Sequence, residues 1–432
     1  MILKQAIEER GGKEYMFSEL IENITNLDVF TESIKQYISG LSINSVIITI
    51  MMIFMVIGAI DRIRGNKLGY GEEFEAGFNA MGPLAIAMMG VVAAAPVLRV
   101  ILQPIIAPVY ELFGASPAMF ATTLLANDMG GYPLAMQLAG DNTAIGNFAG
   151  LILGSMMGPT IVFTIPVALS IIKPKDRPFL AAGVLAGLIT IPIGCIAGGL
   201  VMNMTPNKID MITILQNLIP VIIVAGLIAI GLWFKPTQMM KGFNHFGNGV
   251  TILITIFTAI AVFQYETGIR LPLFDIMVDP NKNGGTIPLE EGIKVVGTIA
   301  CVLIGAFPMV KWITKTFKKP LMKVGEKLKM NADGSAGLVA SLANNIAMFN
   351  IMENMNAKGK LLNVAFAVSA AFVFGDHLGF TAGANPDMIF PVVVGKLIAG
   401  ITALILANAL APKLLAKIKA SGGKEEIEEK TD

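Results

Sequence analysis

Long apolar stretches recur along this chain, and they limit its fold more than any other feature. A helix that crosses a bilayer needs roughly 20 predominantly apolar residues. Stretches near that length occupy residues 43–60, 77–98, 117–137, 146–170, 179–202, 212–234, 245–263, 290–310, 334–353, 358–380 and 388–410. Charged residues make up only 15% of the chain, against about 25% in soluble domains. The pattern predicts an all-α membrane protein with about nine to eleven transmembrane segments.

The two ends of the chain differ from this apolar body. Residues 1–42 carry apolar side chains at helical spacing, namely Phe17, Leu20, Ile21, Ile24, Leu27, Ile34 and Ile38. This spacing predicts an amphipathic helix at the membrane surface. A solvated or lightly packed tail is the alternative. The charged residues 416–432 are expected to form a disordered tail.

An internal repeat divides the rest of the chain. The matching residues are Gly77, Gly82, Ala85 and Gly90 with Gly292, Gly297, Ala300 and Gly305, residues 125–127 with 342–344, and Gly154, Gly158 and Thr160 with Gly375, Gly379 and Thr381. The matches keep their order and a nearly constant offset, which indicates a duplication. The expected repeats are residues 43–202 and 243–415, with a connecting span at 203–242.

The distribution of positive charge favours an inverted arrangement of these repeats, because Lys and Arg collect in cytoplasmic loops. If segments 117–137 and 334–353 re-enter on the side from which they came, 22 of the 32 basic residues lie on one side. If both segments cross, the bias nearly vanishes. The re-entrant arrangement therefore fits better, and it makes the repeats inverted with residues 311–360 in the cytoplasm. The sequence alone leaves crossing and re-entry open.

Polar residues inside the apolar segments are the candidates for a functional site, since ionisable groups are costly in a membrane and usually functional. The two halves of the chain each contribute one carboxylate at a different element of the repeat. The expected substrate-binding residues are Asp376, Asn127, Asn344, Asp128, Asn345, His377 and Ser155.

Residues that break helices lie beside these polar groups, namely Gly158, Pro159, Gly130, Gly131, Gly375 and Gly379. A proline inside a helix frees the carbonyl four residues before it. Those carbonyls belong to Ser155, before Pro159, and Met129, before Pro133. Free carbonyls and a carboxylate form a cation site, and transporters bind cargo at such broken helices.

Structural roles compete with these assignments. Asp376 could form an ion pair with Lys396, and His377 could be a hydrogen-bonded interior histidine rather than a proton relay. The asparagines could tie helices together. We also expect Asp376 to matter more than Asp128, because the glycines after Asp128 indicate a re-entrant tip where water weakens its electrostatic effect.

Several other classes of protein lack support in the sequence. No Gly-Lys pair belongs to a P-loop, and the HExxH motif of zinc proteases is absent. An intramembrane hydrolase is the alternative of another class, but Val373, Phe374 and Gly375 precede Asp376 where aspartyl enzymes have Gly-x-Gly. The net charge of +1 gives no reason to expect a nucleic-acid partner. No metal or cofactor is expected.

Longer runs of sequence resemble one known family. The runs LLANDMGGYPLA, LILGSMMGPTIVF, IPVAL, GVLAGLITIPIGCIAGGL, SLANNIAMF and FAVSAAFVFGDHLGF are similar to the bacterial ethanolamine-utilisation permease family. The similarity extends from Ile43 to about Leu415. It implies a multi-pass permease of the bacterial cytoplasmic (inner) membrane that takes up ethanolamine for ethanolamine catabolism. The resemblance implies nothing about residues 1–42, because members of the family usually begin near the first span.

The chemistry of the candidate residues suits this cargo. Ethanolamine is mostly a protonated ammonium at neutral pH, which a carboxylate and free carbonyls can bind. An asparagine amide can bind its hydroxyl. Another small amine or an amino acid is the alternative cargo. Membrane lipid is an expected partner, whereas homo-oligomerisation and the choice between facilitated and ion-coupled transport stay open.

Overall fold

Helices account for nearly all of the secondary structure in the computed structural model, which describes residues 26–420 and contains no strand within that range. The longer helices are Asp28–Ser39, Ile43–Ile63, Tyr70–Asn79, Met81–Glu111, Arg177–Leu188, Ile191–Met202, Met211–Phe234, Pro236–Thr267, Pro288–Lys327, Ala332–Ala343, Ala357–Ala370 and Ile389–Ala420. The shorter α-helices near the candidate site are Ala118–Leu124, Gly131–Ala139, Thr143–Asn147, Met157–Pro159, Ile165–Ile171, Asn345–Asn350 and Asp376–Ala384. The all-α class is therefore confirmed.

Seven helices within the described range are long and apolar enough to cross a membrane. They are Ile43–Ile63, Tyr70–Glu111, Thr143–Ile171, Met211–Phe234, Pro236–Thr267, Pro288–Lys327 and Pro386–Ala420. A pair bent by 40°, Pro174–Leu188 with Ile191–Met202, gives an eighth. Fewer uninterrupted spans are present than the nine to eleven expected segments. The reason is that the α-helix is interrupted within each of the segments 117–137, 334–353 and 358–380.

The chain divides into two units, Met1–Ile47 and Ile48–Asp432. The first unit contains the helix Asp28–Ser39. Four residues of the predicted amphipathic pattern lie outside the described range: Phe17, Leu20, Ile21 and Ile24. The surface location of this extension therefore stays a prediction. At the other end, the helix Ile389–Ala420 includes the first residues of the expected tail, and residues 421–432 lie outside the described range.

The second unit contains the same order of elements twice. In each half a long helix, Tyr70–Glu111 or Pro288–Lys327, is followed by two short helices and then by a broken helical segment. Elements from the two halves also pack against each other, because Pro288–Lys327 contacts both parts of Tyr70–Glu111. This order supports the proposed duplication. The inverted orientation of the repeats stays a prediction.

Small residues bring two helices close together and thereby place a lysine in the interior. A Cβ atom on Gly194 would lie 2.5 Å from the carbonyl oxygen of Gly395, so glycine permits the contact between Ile191–Met202 and Ile389–Ala420. The Thr190 hydroxyl donates a hydrogen bond across the same interface to the Ala399 carbonyl at 3.1 Å. The next residue after Gly395 is Lys396, whose side chain is therefore enclosed by protein.

A buried ion pair joins the two halves elsewhere in the second unit. The Lys360 ammonium lies 2.8 Å from a carboxylate oxygen of Asp176, and both side chains are 1% exposed. More exposed lysines, Lys173 and Lys175, pair with Glu353 beside it. These contacts connect the segment before the helix Arg177–Leu188 to the start of the helix Ala357–Ala370.

Candidate functional site

Breaks in helices from both halves build the candidate site. In the first half, the helix Ala118–Leu124 is followed by Leu125, whose backbone is extended, and then by a single 3-10 turn. In the second half, a break separates the helices Ala357–Ala370 and Asp376–Ala384. The amide of Phe372 in this break donates to the Ser341 carbonyl at 3.1 Å. Backbone groups that the breaks release are thus paired again, as burial requires.

Two glycines are required by the geometry of the first break. Gly130 has a φ of +86°, which side-chain-bearing residues rarely adopt. A Cβ on Gly158 would lie 1.9 Å from the Leu125 carbonyl oxygen. Gly379, by contrast, does not mark a helix break as predicted. It lies inside the helix Asp376–Ala384, where its missing side chain makes room for Leu303.

The two prolines that were expected to release carbonyls, Pro159 and Pro133, behave differently. Pro159 leaves the Ser155 carbonyl without a helical donor, and the Lys396 ammonium donates a hydrogen bond to it at 2.5 Å. The predicted release of the Met129 carbonyl is wrong, because Pro133 is the third residue of the helix Gly131–Ala139. A helix has no intrahelical acceptor for the amide at that position, so a proline there removes no helical bond.

Four of the seven predicted binding residues line one cavity of about 410 Å³: Asp128, Asn344, Asp376 and His377. Both carboxylates are half-buried in its wall. They lie close enough to interact electrostatically with each other, although they come from different halves of the chain. Asp128 therefore shares one solvent environment with Asp376, and the expectation that water dilutes the charge of Asp128 alone is wrong.

Lys396 is the residue whose role sequence reasoning missed. Its side chain is 1% exposed, and its ammonium lies 3.0 Å from Nδ1 of His377 in addition to the Ser155 carbonyl. It also interacts electrostatically with Asp128. The ion pair with Asp376 that we considered from the sequence is not formed, since the hydrogen bonds of Lys396 go to Ser155 and His377. Its position in an apolar span was the signal for this role.

The remaining three predicted residues, Asn127, Ser155 and Asn345, are buried in the protein. The Ser155 hydroxyl donates to the Ile152 carbonyl at 3.0 Å, and the Asn345 amide donates to the Thr164 hydroxyl at 2.9 Å. Asn127 is fully buried, and neither polar atom of its side chain has a hydrogen-bond partner within the described part of the chain. These residues do not line the cavity in this conformation.

Aromatic rings form part of the cavity wall, and only Phe372 among them is close in sequence to the predicted binding residues. Phe163, Phe307 and Phe372 line it, and the rings of Phe163 and Phe372 lie 5.7 Å apart edge to face. Phe372 adopts a positive φ of 62°, a conformation that costs energy and is concentrated at functional sites. These rings come from separate elements, so no local pattern could have grouped them.

The charges around the cavity favour a monovalent cation. When ionised, Asp128 and Asp376 carry two negative charges, and Lys396 supplies one positive charge near Asp128. In that fully ionised state the three groups carry one net negative charge, which is costly where it is partly buried. A bound ammonium would neutralise it. Asn344 lines the same cavity, with its side-chain oxygen accepting from the Ile346 amide at 2.7 Å, which leaves its NH₂ group to donate.

Long apolar helices, broken helices and a cavity lined by two carboxylates are the features of a multi-pass membrane protein of the permease class. The chain belongs to the EutH family of ethanolamine utilisation proteins, which matches residues 43–410.

The relatives carry names that agree with this class. A protein of Listeria monocytogenes named "Probable ethanolamine permease EutH" is 56% identical over 88% of this chain and 97% of its own length. An Escherichia coli protein with the same name is 52% identical over 86% of this chain and 97% of its own length. A Bacillus subtilis relative named "Uncharacterized protein YxeR" is 45% identical over 87% of this chain and 97% of its own length. No solved structure matches the chain.

Proposed function

We propose that this protein carries ethanolamine into the bacterial cell across the cytoplasmic membrane. The observation that carries the proposal is the pair of carboxylates, Asp128 and Asp376, on one cavity with a single lysine near them. The names of the relatives from Listeria and Escherichia point to the same cargo. The proposal includes that the protein transports ethanolamine and does not catalyse a reaction on it.

In the proposed binding mode the ammonium of ethanolamine lies between Asp128 and Asp376. Charge-assisted hydrogen bonds to carboxylates are the strongest available to such a group. The NH₂ group of Asn344 donates to the hydroxyl. Lys396 already occupies the Ser155 carbonyl that the sequence suggested for the cargo. The backbone carbonyl released by Pro159 therefore binds the ammonium of Lys396 instead of the cargo.

The same contacts predict selectivity among small amines. Ethanolamine offers three N–H donors to the two carboxylates, whereas the trimethylammonium of choline offers none and would leave them unsatisfied. The carboxylate of serine would be repelled by Asp128 and Asp376. The phenylalanine rings of the cavity would favour choline instead, because aromatic faces attract quaternary ammonium groups. Choline is therefore the competitor that tests the binding mode most directly.

An intramembrane hydrolase is the second candidate, because two carboxylates that share one site also occur in aspartic proteases. In those enzymes the pair holds a single proton, since both carboxylates cannot ionise side by side. Lys396 also lies near the pair here, and the permease names of the relatives from Listeria and Escherichia support transport.

Uptake of labelled ethanolamine into proteoliposomes tests the proposal. The assay is run at mildly acidic pH, where little neutral amine crosses the lipid, with imposed proton and sodium gradients in separate arms. We expect uptake above that of empty vesicles, competition by unlabelled ethanolamine, and weaker competition by choline and serine. The matched control is Asp141→Asn, which alters an exposed carboxylate outside the cavity. Equal uptake by empty and protein-loaded vesicles contradicts the proposal, and a dependence on one gradient identifies the coupling ion.

A further inference from the structure

A second, larger concavity of about 690 Å³ lies apart from the carboxylate cavity. Four parts of the chain form it, and all of them adjoin the ends of long apolar helices. These parts lie around residues 166–185, 232–237, 240–245 and 414–418. We call this feature the basic groove. It shares no lining residue with the cavity that contains Asp128 and Asp376.

The rim of the basic groove is positively charged. Arg177 and Lys241 are exposed there, and Lys417 is half-buried. His245 lies beside them, with one ring nitrogen 2.7 Å from the Lys241 carbonyl oxygen. None of the residues that line the groove, all of which the structure describes, is an aspartate or a glutamate. The residues that line the groove therefore carry a net positive charge.

The wall of the groove is apolar, and its edge has the features of a membrane interface. Leu169, Leu185 and Leu414 contribute to the wall. Trp233 lies at the end of the helix Met211–Phe234, where interfacial aromatic residues are typical. The Lys417 ammonium donates to the Trp233 carbonyl and lies 3.7 Å from the centre of its ring. Lys417 is thus held at the C-terminal end of an apolar helix.

We propose that the basic groove binds an anionic phospholipid, with the phosphate of its headgroup at Arg177, Lys241 and Lys417 and an acyl chain along the apolar wall. Basic pockets between membrane helices bind such headgroups because each Lys or Arg near an anionic lipid is worth about 1 kcal/mol. A soluble anion could bind to the basic rim but would not contact the apolar wall. An apolar ligand could contact the wall but would not bind to the rim. A membrane supplies a molecule with both parts at this depth.

The test measures lipid retention by the full-length protein in detergent. Phosphatidylglycerol or phosphatidylcholine is added, and native mass spectrometry counts the lipids retained while a thermal melt records stability. We expect the wild type to retain phosphatidylglycerol preferentially and to melt at a higher temperature with it. The variant Arg177→Gln/Lys241→Gln should bind this lipid roughly fivefold more weakly for each lost charge. Adding Lys417→Gln should weaken binding further, and the double variant alone remains informative if the triple variant unfolds.

The matched control removes three exposed lysines from another helix, in the variant Lys318→Gln/Lys319→Gln/Lys323→Gln. This control should keep the phosphatidylglycerol preference. The proposal is overturned if the wild type retains both lipids equally, or if the control loses the preference as fully as the groove variants. It is also overturned if glycerol phosphate alone reproduces the thermal shift, because the occupant would then be a soluble anion.

Discussion

The ammonium of Lys396 lies 3.0 Å from Nδ1 of His377 and thereby links the last long helix to the first turn of the helix Asp376–Ala384. A lysine ammonium has only donors, so Nδ1 of His377 must be its acceptor and the imidazole must be neutral when Lys396 is charged. The neighbouring residue, Asp376, lines the carboxylate cavity. Lys396 therefore positions one wall of the candidate site while it interacts electrostatically with Asp128.

Removing the charge of Lys396 should strengthen cation binding. In Lys396→Gln the amide can still donate to the Ser155 carbonyl, but the positive charge that repels an incoming ammonium is gone. We expect ethanolamine to bind several-fold more tightly, corresponding to about 1 kcal/mol at the dielectric of a partly enclosed site. Equilibrium binding to the purified protein measures this, with Lys318→Gln as the control for a remote charge. Weaker binding by a folded Lys396→Gln protein would show that the lysine supports the cation site instead of competing with the cargo.

Loss of either cavity carboxylate should nearly abolish binding. Asp128→Asn and Asp376→Asn each remove a charge that pairs with a desolvated ammonium, a loss of about 2–5 kcal/mol in binding free energy. Because both residues share one cavity, we expect similar effects, rather than the larger effect at Asp376 that the sequence alone suggested. Binding and thermal stability are measured together on both variants and on Asp141→Asn. Normal affinity in either folded variant would remove that carboxylate from the site.

The buried pair of Asp176 and Lys360 should be important for stability. Lys360→Met leaves the Asp176 carboxylate buried without its partner, which costs about 3–5 kcal/mol. The comparison is Lys173→Met, which breaks an exposed pair with Glu353 and should cost about 0–1 kcal/mol. The midpoint of unfolding in mild detergent is measured for both variants, and a lower midpoint for Lys360→Met than for Lys173→Met is expected. If both variants melt alike, the buried pair does not hold these segments together.

The predicted topology can be tested by cysteine labelling from outside the cell. The protein has two cysteines, of which Cys195 is buried and Cys301 is exposed, so a Cys301→Ser background is used. We expect an impermeant reagent to label Asn281→Cys but not Lys323→Cys, because residues 311–360 carry a high density of lysine. Both positions are exposed in the structure, so access through the protein does not limit the reaction. The reverse labelling would contradict the inverted-repeat arrangement.

The sequence by itself determined the class of this protein and the residues of its candidate site. Apolar length is a local property, so helical spans could be located without knowledge of their neighbours. The same holds for Asp128 and Asp376, since a carboxylate in an apolar segment stands out wherever the segment lies. Likewise, the position of Pro159 indicated that the Ser155 carbonyl lacks a helical donor, because a proline has no amide hydrogen to donate to the carbonyl four residues before it.

Only the tertiary structure decided how these elements combine. Lys396 reaches the carbonyl of Ser155 across 241 positions of sequence, and no local pattern could reveal that a lysine of the protein binds there. Gly379 looked like a helix breaker, yet it serves the close approach of Leu303, and Phe163 and Phe307 joined a cavity that no motif indicated. The physical reason is that a cation site depends on distances between charges. Those distances are set by the packing of helices that are remote in sequence.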